Sequence, residues 1–170
     1  MTPHEIFLHM PPATACQIFT ELLEKEKPLY KATIETLAKQ RKLRPVFVER
    51  KPRNERHAWM QEALGRRAND AVAAHLLQIW LVATKAPLLC DFLDGLGIAH
   101  DEHGTIEDMP PAPEKAKLAE VVENLFTKHD PVVVAIYLNA FQALDDEGWP
   151  SLAELLESDS RLQLKAPAVS

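Results

Sequence analysis

Residues 71–84, with the sequence AVAAHLLQIWLVAT, constrain the fold of this chain more than any other feature. Only His75, Gln78 and Thr84 interrupt the apolar run. As a helix it would be apolar on nearly every side, so other elements would have to bury it all round. It is shorter than the roughly 20 residues that a membrane-spanning helix needs. We therefore predict a buried central helix in an all-α fold, and no membrane span.

The length and the helix signals predict the rest of the fold. A chain of 170 residues fits one domain and can bury a core without disulfides or a structural metal. Thirteen prolines against five glycines are typical of many short helices that begin at proline. We predict a single irregular domain of about seven to nine helices over residues 1–165, with a frayed tail at 166–170.

Two segments depart from the helical pattern. Residues 46–48 are β-branched or aromatic and lie between prolines, so we expect an extended linker or a very short strand. Residues 161–165 alternate with period two and would pair with that strand. A polar turn at 101–104, flanked by Ile98 and Ile106, would form a small hairpin. Any β structure in this chain is therefore expected to be minor.

Charge is distributed unevenly along this acidic protein, whose net charge is −6. Residues 39–67 contain ten basic and three acidic side chains, and the remaining residues contain nine basic and 22 acidic ones. Such a basic segment predicts a surface for an anionic partner, with an ordinary solvated or internally paired surface as the alternative. The residues of this predicted surface are Lys39, Arg41, Lys42, Arg44, Arg50, Lys51, Arg53, Arg56, Arg66 and Arg67.

Nucleic-acid binding is a weaker interpretation of the same segment. Phe47 is the only aromatic residue interleaved with the first eight basic residues. In the predicted helix pair over residues 54–84 the second helix is apolar, where a DNA recognition helix must be polar. A protein partner of acidic character is the more economical prediction.

A polar turn supplies the candidate metal ligands His100, His103 and Glu107. Imidazole and carboxylate groups bind zinc and other divalent metals. The spacing matches no known zinc or calcium motif, and solvated acids and histidines are common in loops. An exposed polar turn is the first interpretation, and a divalent metal site is the alternative. We predict no other cofactor.

His75, Gln78 and Trp80 are the candidates for a small-molecule pocket in the apolar helix. A cavity beside Trp80 would make His75 and Gln78 the converging polar groups of an apolar site. The simpler expectation is a buried neutral imidazole with a hydrogen-bond partner. His57 and His129 are expected at the boundary or the surface. No phosphate loop or nucleophile motif is present in the sequence.

Cys16 and Cys90 have apolar neighbours and no CxxC spacing, which indicates buried free thiols in a reducing compartment and predicts a cytoplasmic protein. The sequence favours a non-enzymatic protein-interaction or regulatory module that binds through the basic segment. A metal-binding or small-molecule-binding protein, including an enzyme, is the alternative, and weak nucleic-acid binding is third. The apolar segment 132–144 would support a homodimer if part of it were exposed.

Overall fold

The computed structural model describes residues 1–108 and 110–165, and within them the fold is all-α, with ten α-helices and no strand. The predicted fold class is thus confirmed, with one helix more than expected. The predicted frayed tail, residues 166–170, lies outside the described residues. The helices are α1 Pro3–His9, α2 Pro12–Lys25, α3 Lys27–Gln40, α4 Pro45–Glu49, α5 Arg53–Leu64, α6 Asp70–Ile79, α7 Ala86–Leu96, α8 Lys115–Lys128, α9 Pro131–Ala143 and α10 Pro150–Ser158.

The chain forms two compact units, and the boundary between them falls inside α6. Unit 1 comprises Met1–Leu77 with Lys165, and unit 2 comprises Gln78–Leu164. Residues 1–77 carry 13 basic and nine acidic side chains, whereas residues 78–164 carry five basic and 16 acidic ones. The two units therefore differ in the sign of their charge. The single domain over residues 1–165 stays a prediction.

In unit 1, helix α5 packs against α1, α2 and α3. The rings of Phe7 and Phe19 stack in its core with their centroids 5.8 Å apart. Helix α1 begins with a capping box, because the backbone N–H of Thr2 donates to the Glu5 carboxylate at 2.7 Å. These elements form a helical scaffold that carries both the basic segment and a buried histidine.

Residues 46–48 are helical, so the prediction of an extended linker or strand is wrong. Helix α3 ends in a Schellman motif, in which the N–H of Leu43 donates to the carbonyl of Ala38 at 2.9 Å and Lys42 adopts a left-handed φ of 55°. Pro45 then occupies the first position of α4, where its fixed φ favours a helix. Residues 161–165 form a turn and irregular chain, so the predicted pairing is absent from the described residues.

In unit 2, helix α8 packs against α7, α9 and α10. The rings of Phe92, Phe141 and Trp149 cluster in its core. Asp130 caps α9 by accepting from the N–H of Val132 at 2.8 Å. The predicted hairpin near residues 101–104 is a turn without strands, closed by a hydrogen bond from Asp101 N–H to the Thr105 carbonyl.

The apolar stretch 71–84 is buried on one side rather than all round. Its helix continues beyond α6 as a π-helical segment, Trp80–Thr84, in which the N–H of Lys85 donates to the Trp80 carbonyl. Leu76, Leu77, Trp80 and Leu81 are buried, whereas Val82 is 45% exposed. Full burial was expected from composition alone, but isolated apolar side chains are tolerated in water.

No single helix in residues 1–108 and 110–165 is long and apolar enough to span a membrane. Only the bent pair Arg67–Thr84 and Ala86–Leu96, taken together, reaches the required length and composition.

Candidate functional site

The ten basic residues of the predicted surface all lie in unit 1. Three of them have partners within the protein. Arg41 and Arg66 both bind the Glu62 carboxylate, at 2.9 and 2.6 Å, and Arg56 donates to the Tyr30 hydroxyl at 2.8 Å. Within the described residues, the other seven make no ion pair or side-chain hydrogen bond; they are Lys39, Lys42, Arg44, Arg50, Lys51, Arg53 and Arg67. Most side chains of the predicted surface therefore have no ion-pair partner within the described residues.

From the end of α3 to the end of α4, exposed apolar side chains alternate along the chain with cationic side chains that have no ion pair within the described residues. Leu43 is 40% exposed, Val46 38% and Phe47 59%. Together with the exposed Lys42, Arg44 and Arg50 they form what we call the basic-apolar surface, residues 42–47 and 50, excluding Pro45. Val48 alone in α4 is fully buried and anchors the helix to unit 1. The surface contains aromatic, aliphatic and cationic groups side by side, with Glu49 as the only carboxylate between residues 42 and 50.

The predicted metal ligands are brought together only in part. His100 Nε2 lies 2.6 Å from the Asp94 carboxylate, and its Nδ1 lies 2.5 Å from the Asp101 carbonyl. His103 is exposed and lies 3.4 Å from Glu102. His100 and Glu107 line an open cavity of about 740 Å³, which His103 does not line. Among the residues that the structure describes, no three histidine, cysteine or acidic side chains are grouped to hold a metal ion.

The Asp101–Thr105 turn instead satisfies its own polar groups. One carboxylate oxygen of Asp101 accepts from the N–H groups of His103 and Thr105, at 2.9 and 2.8 Å. These backbone donors lower the pKa of Asp101. The hydrogen bond with the Asp101 carbonyl, and then that with Asp94, raise the pKa of His100. A divalent metal at this turn remains a prediction.

The predicted pocket residues of the apolar helix face different environments. His75 and Gln78 are exposed, so the expected buried imidazole is wrong. Trp80 is fully buried in unit 2, where its ring lies 5.9 Å from that of Tyr137. The two polar side chains, His75 and Gln78, therefore face water, whereas Trp80 faces the core. The ligand pocket predicted here gains no support from their exposure.

A chain of four side chains in unit 1 was not predicted. Cys16 Sγ lies 3.2 Å from His57 Nδ1, and His57 Nε2 lies 2.9 Å from the Tyr30 hydroxyl. The Tyr30 hydroxyl in turn accepts from Arg56 Nε at 2.8 Å. His57 is 2% exposed and Tyr30 3%, so the expectation that His57 lies at the boundary or the surface is wrong. Helices α2, α3 and α5 each contribute to this chain, which we call the Cys16–Arg56 chain.

Burial and neighbouring charge set the protonation of this chain. Burial, and then the guanidinium groups of Arg56 and Arg53, lower the pKa of His57 to about 4. The imidazole is therefore neutral near pH 7. Burial raises the pKa of Tyr30 despite the opposing effect of Arg56, so the phenol also stays neutral. Tyr30 and Arg56 line a small cavity of about 260 Å³ together with Leu23, Lys27, Lys31, Ile34 and Glu49.

The residues of this chain are too far apart in sequence for spacing to connect them. Cys16 and His57 are separated by 41 positions. The available signal was a polar residue on the apolar face of an amphipathic helix, as His57 is beside Met60 and Leu64 in α5.

Comparisons with protein families, with curated proteins and with solved structures find no match to this protein.

Proposed function

We propose that the protein is a non-enzymatic interaction module whose basic-apolar surface binds an acidic segment of a protein partner that also carries apolar side chains. One observation carries the proposal: Leu43, Val46 and Phe47 are exposed between cations that have no internal partner among the described residues. Exposed apolar side chains clustered at one place often mark an interaction site.

The chemistry of the surface favours this kind of partner. Lys42, Arg44 and Arg50 attract carboxylates and repel cationic proteins. Phe47 supplies an aromatic side chain of the kind enriched in the buried cores of protein interfaces. A purely polyanionic ligand would leave its ring exposed to water, whereas an acidic amphipathic helix would cover the ring and neutralise the cations together.

Fluorescence anisotropy tests the proposal with a short labelled peptide in which leucine recurs at helical spacing among glutamates. Two matched peptides separate the two contributions: one has glutamine for every glutamate, and the other has alanine for every leucine. We expect the acidic leucine peptide to bind best, and its affinity to fall as salt is added.

Protein variants locate the binding surface. The Arg44→Glu, Arg50→Glu double variant should weaken binding by about tenfold or more, because it replaces attraction by repulsion. Phe47→Ser should weaken it to a similar extent through the loss of apolar contact. Lys25→Glu, Lys117→Glu has the same change in net charge at exposed positions outside the surface and should bind as the wild type does.

Equal binding by the wild type and by the Arg44→Glu, Arg50→Glu variant would overturn the proposal. Preferential binding of phosphatidylserine vesicles or of a DNA duplex, with no binding of the acidic leucine peptide, would replace it by a membrane or nucleic-acid function. Light scattering of the protein alone, at several salt concentrations, would reveal a dimer if the partner were a second copy of this chain. Such a dimer would form without any added peptide.

A further inference from the structure

The cavity beside Tyr30 and Arg56 lies in unit 1 and shares no residue with the basic-apolar surface. Its volume of about 260 Å³ is below the roughly 300–1,000 Å³ of pockets that hold drug-sized ligands. The lining has an apolar and aromatic part, formed by Leu23, Tyr30 and Ile34, and a charged part, formed by Lys27, Lys31, Glu49 and Arg56. Such a space suits a small molecule with an apolar body and a charged end.

Arg56 is held in place at this cavity from two sides. Its Nε donates to the Tyr30 hydroxyl at 2.8 Å, and its Nη1 donates to the backbone carbonyl of Glu49 at 3.0 Å. The guanidinium carbon lies 5.8 Å from the centre of the Tyr30 ring, which is itself almost completely buried. Nη2 has no hydrogen-bond partner within the described residues. A guanidinium that is already fixed loses little conformational entropy when it binds an anion.

Lys27 and Lys31 add two exposed cations to the cavity at an unfavourable place in the fold. They lie four residues apart in the first turns of α3 and are therefore neighbours on one face of that helix. Like charges at this spacing repel, and the helix dipole disfavours cations at a helix N-terminus. Neither lysine has an ion pair within the part of the chain that the structure describes. A bound anion would relieve both costs, which points to a ligand of negative charge.

We propose that this cavity binds a small organic carboxylate with an apolar body. The carboxylate, ionised at pH 7, binds among Lys27, Lys31 and Arg56. The apolar body packs against Leu23 and Ile34. Three of the lining side chains are cations and one is a carboxylate, so the balance attracts an anion. The carboxylate of the cavity itself opposes a second full charge on the ligand and so favours a monoanion.

Titration of the intact protein with phenylacetate, followed by methyl NMR, tests this proposal. The matched controls are phenylacetamide, which has the same body without the charge, and acetate, which has the charge without the body. We expect phenylacetate to bind with a Kd on the order of 1 mM and to shift the methyl signals of Leu23 and Ile34. The signal of Ile136, which is buried in unit 2, should not move. Each control should bind at least about fivefold more weakly.

Two double variants with the same change in charge locate the carboxylate of the ligand. Lys27→Gln, Lys31→Gln removes two cations of the cavity and should weaken phenylacetate binding about fivefold, because two exposed ion pairs are lost. Lys25→Gln, Lys39→Gln changes exposed lysines that do not line the cavity and should bind as the wild type does. Neither double variant should lower the thermal midpoint, since all four side chains are exposed.

Glu49 supplies a test of opposite sign, because its carboxylate is the one that lines the cavity. Glu49→Gln should strengthen phenylacetate binding about twofold through the loss of repulsion. The contact with Arg56 uses the backbone carbonyl of Glu49 and is kept in this variant. Glu55→Gln is the control, since Glu55 is exposed and does not line the cavity. A merely structural role of the Glu49 side chain would not produce tighter binding.

Hexanoate repeats the titration with a linear body, so that the width of the phenyl ring does not decide the result. Unmoved methyl signals of Leu23 and Ile34 with both carboxylates would overturn the proposal, as would equal affinities for phenylacetate and phenylacetamide. Equal weakening in the two double lysine variants would contradict it too, because the effect would then come from overall charge. Tighter binding of phenyl phosphate than of phenylacetate would refute the assignment of a carboxylate.

Discussion

The hydroxyl of Tyr30 lies 2.9 Å from Nε2 of His57, and both side chains are almost completely buried. This contact joins helix α3 to helix α5 at a point where a charged imidazole would be costly. Protonation of His57 would place a cation in a poorly hydrated site beside the guanidinium of Arg56. Folding therefore favours the neutral imidazole, which makes the stability of the fold depend on pH.

We predict that acid destabilises the protein through His57. Its pKa is about 4 in the folded protein and about 6.5 ordinarily, so the unfolded chain binds the proton first as pH falls. The stabilising contribution is complete above pH 6.5 and is lost between pH 6.5 and 4, by up to about 3 kcal/mol. Urea unfolding at several pH values measures this loss.

His57→Gln is the control for the acid effect, because glutamine does not titrate. The difference in unfolding free energy between wild type and variant should shrink as pH falls from 6.5 to 4. His100, whose pKa is raised, contributes with the opposite sign, since its stabilisation is lost as pH rises. That contribution cancels in the comparison. A difference that does not change with pH would show that His57 is not the titrating group.

We predict that Lys42→Gly stabilises the protein. Lys42 is the only non-glycine residue with positive φ in the described part of the chain, and its N–H donates to the Lys39 carbonyl in the turn that ends α3. Glycine adopts this conformation without strain and should stabilise the fold by about 0.5–1 kcal/mol. Lys31→Gly removes the same side chain inside α3 and should cost about 1 kcal/mol. Thermal unfolding measures both changes, and a lower midpoint for Lys42→Gly would refute the prediction.

The helices could be predicted because their signals are local. Pro3 with Glu5, and Asp130 with Pro131, define helix starts within one turn of chain. Helix α4 was missed because residues 46–48 favour strands by type, whereas the preceding Schellman turn and the burial of Val48 decide in favour of a helix. Local propensity is a weak guide where a five-residue segment is held by one buried side chain.

The candidate sites differ in the same way. Cationic residues concentrated in one segment stay together in any fold, so the position of the basic surface could be predicted. Their pairing could not, since Arg41 meets Glu62 across 21 positions. The contact of Cys16 with His57 depends on how α2 packs against α5, which no spacing within either helix encodes. Sequence identifies a charged surface more readily than a buried polar chain.

We predict that the effect of Gly95→Ala depends on Val121. A Cβ atom at Gly95 in α7 would lie 2.8 Å from Cγ1 of Val121 in α8. Alanine gains about 1 kcal/mol of helix propensity, but overpacking costs about 1–3 kcal/mol, so the variant should be less stable. In a Val121→Ala background the clash is removed, and the same substitution should stabilise the protein.

A double-mutant cycle measured by urea unfolding determines the coupling between these two positions. Gly97→Ala is the control, because a Cβ there meets no atom within 4 Å and only its left-handed φ of 71° opposes alanine. Its cost should be the same with valine or alanine at position 121. Additive effects of Gly95→Ala and Val121→Ala would mean that the close approach of α7 and α8 does not limit residue 95.

We predict that Asn139, a buried amide in α9, stabilises unit 2 through its hydrogen bonds. Its Nδ2 donates to the carbonyls of Ala135 and Leu162, both at 2.8 Å, and so ties residue 162 to α9 within unit 2. Asn139→Leu should cost about 1–3 kcal/mol because it leaves the Leu162 carbonyl without its donor. Asn139→Asp should cost more at pH 7, since a carboxylate of similar shape would face two carbonyl oxygens.

The Asn139→Asp variant should also respond to acid in the opposite sense to the His57 site. Burial beside two acceptors would raise the pKa of the introduced carboxyl group in the folded variant above its unfolded value, so protonation stabilises the fold as pH falls. A protonated carboxyl group restores one donor for the Leu162 carbonyl. Relative to wild type at each pH, the cost of Asn139→Asp should decrease between about pH 7 and 5, whereas that of Asn139→Leu stays constant. Equal costs for both variants at pH 7 would show that the amide only fills space, and that Leu162 is held by its own burial.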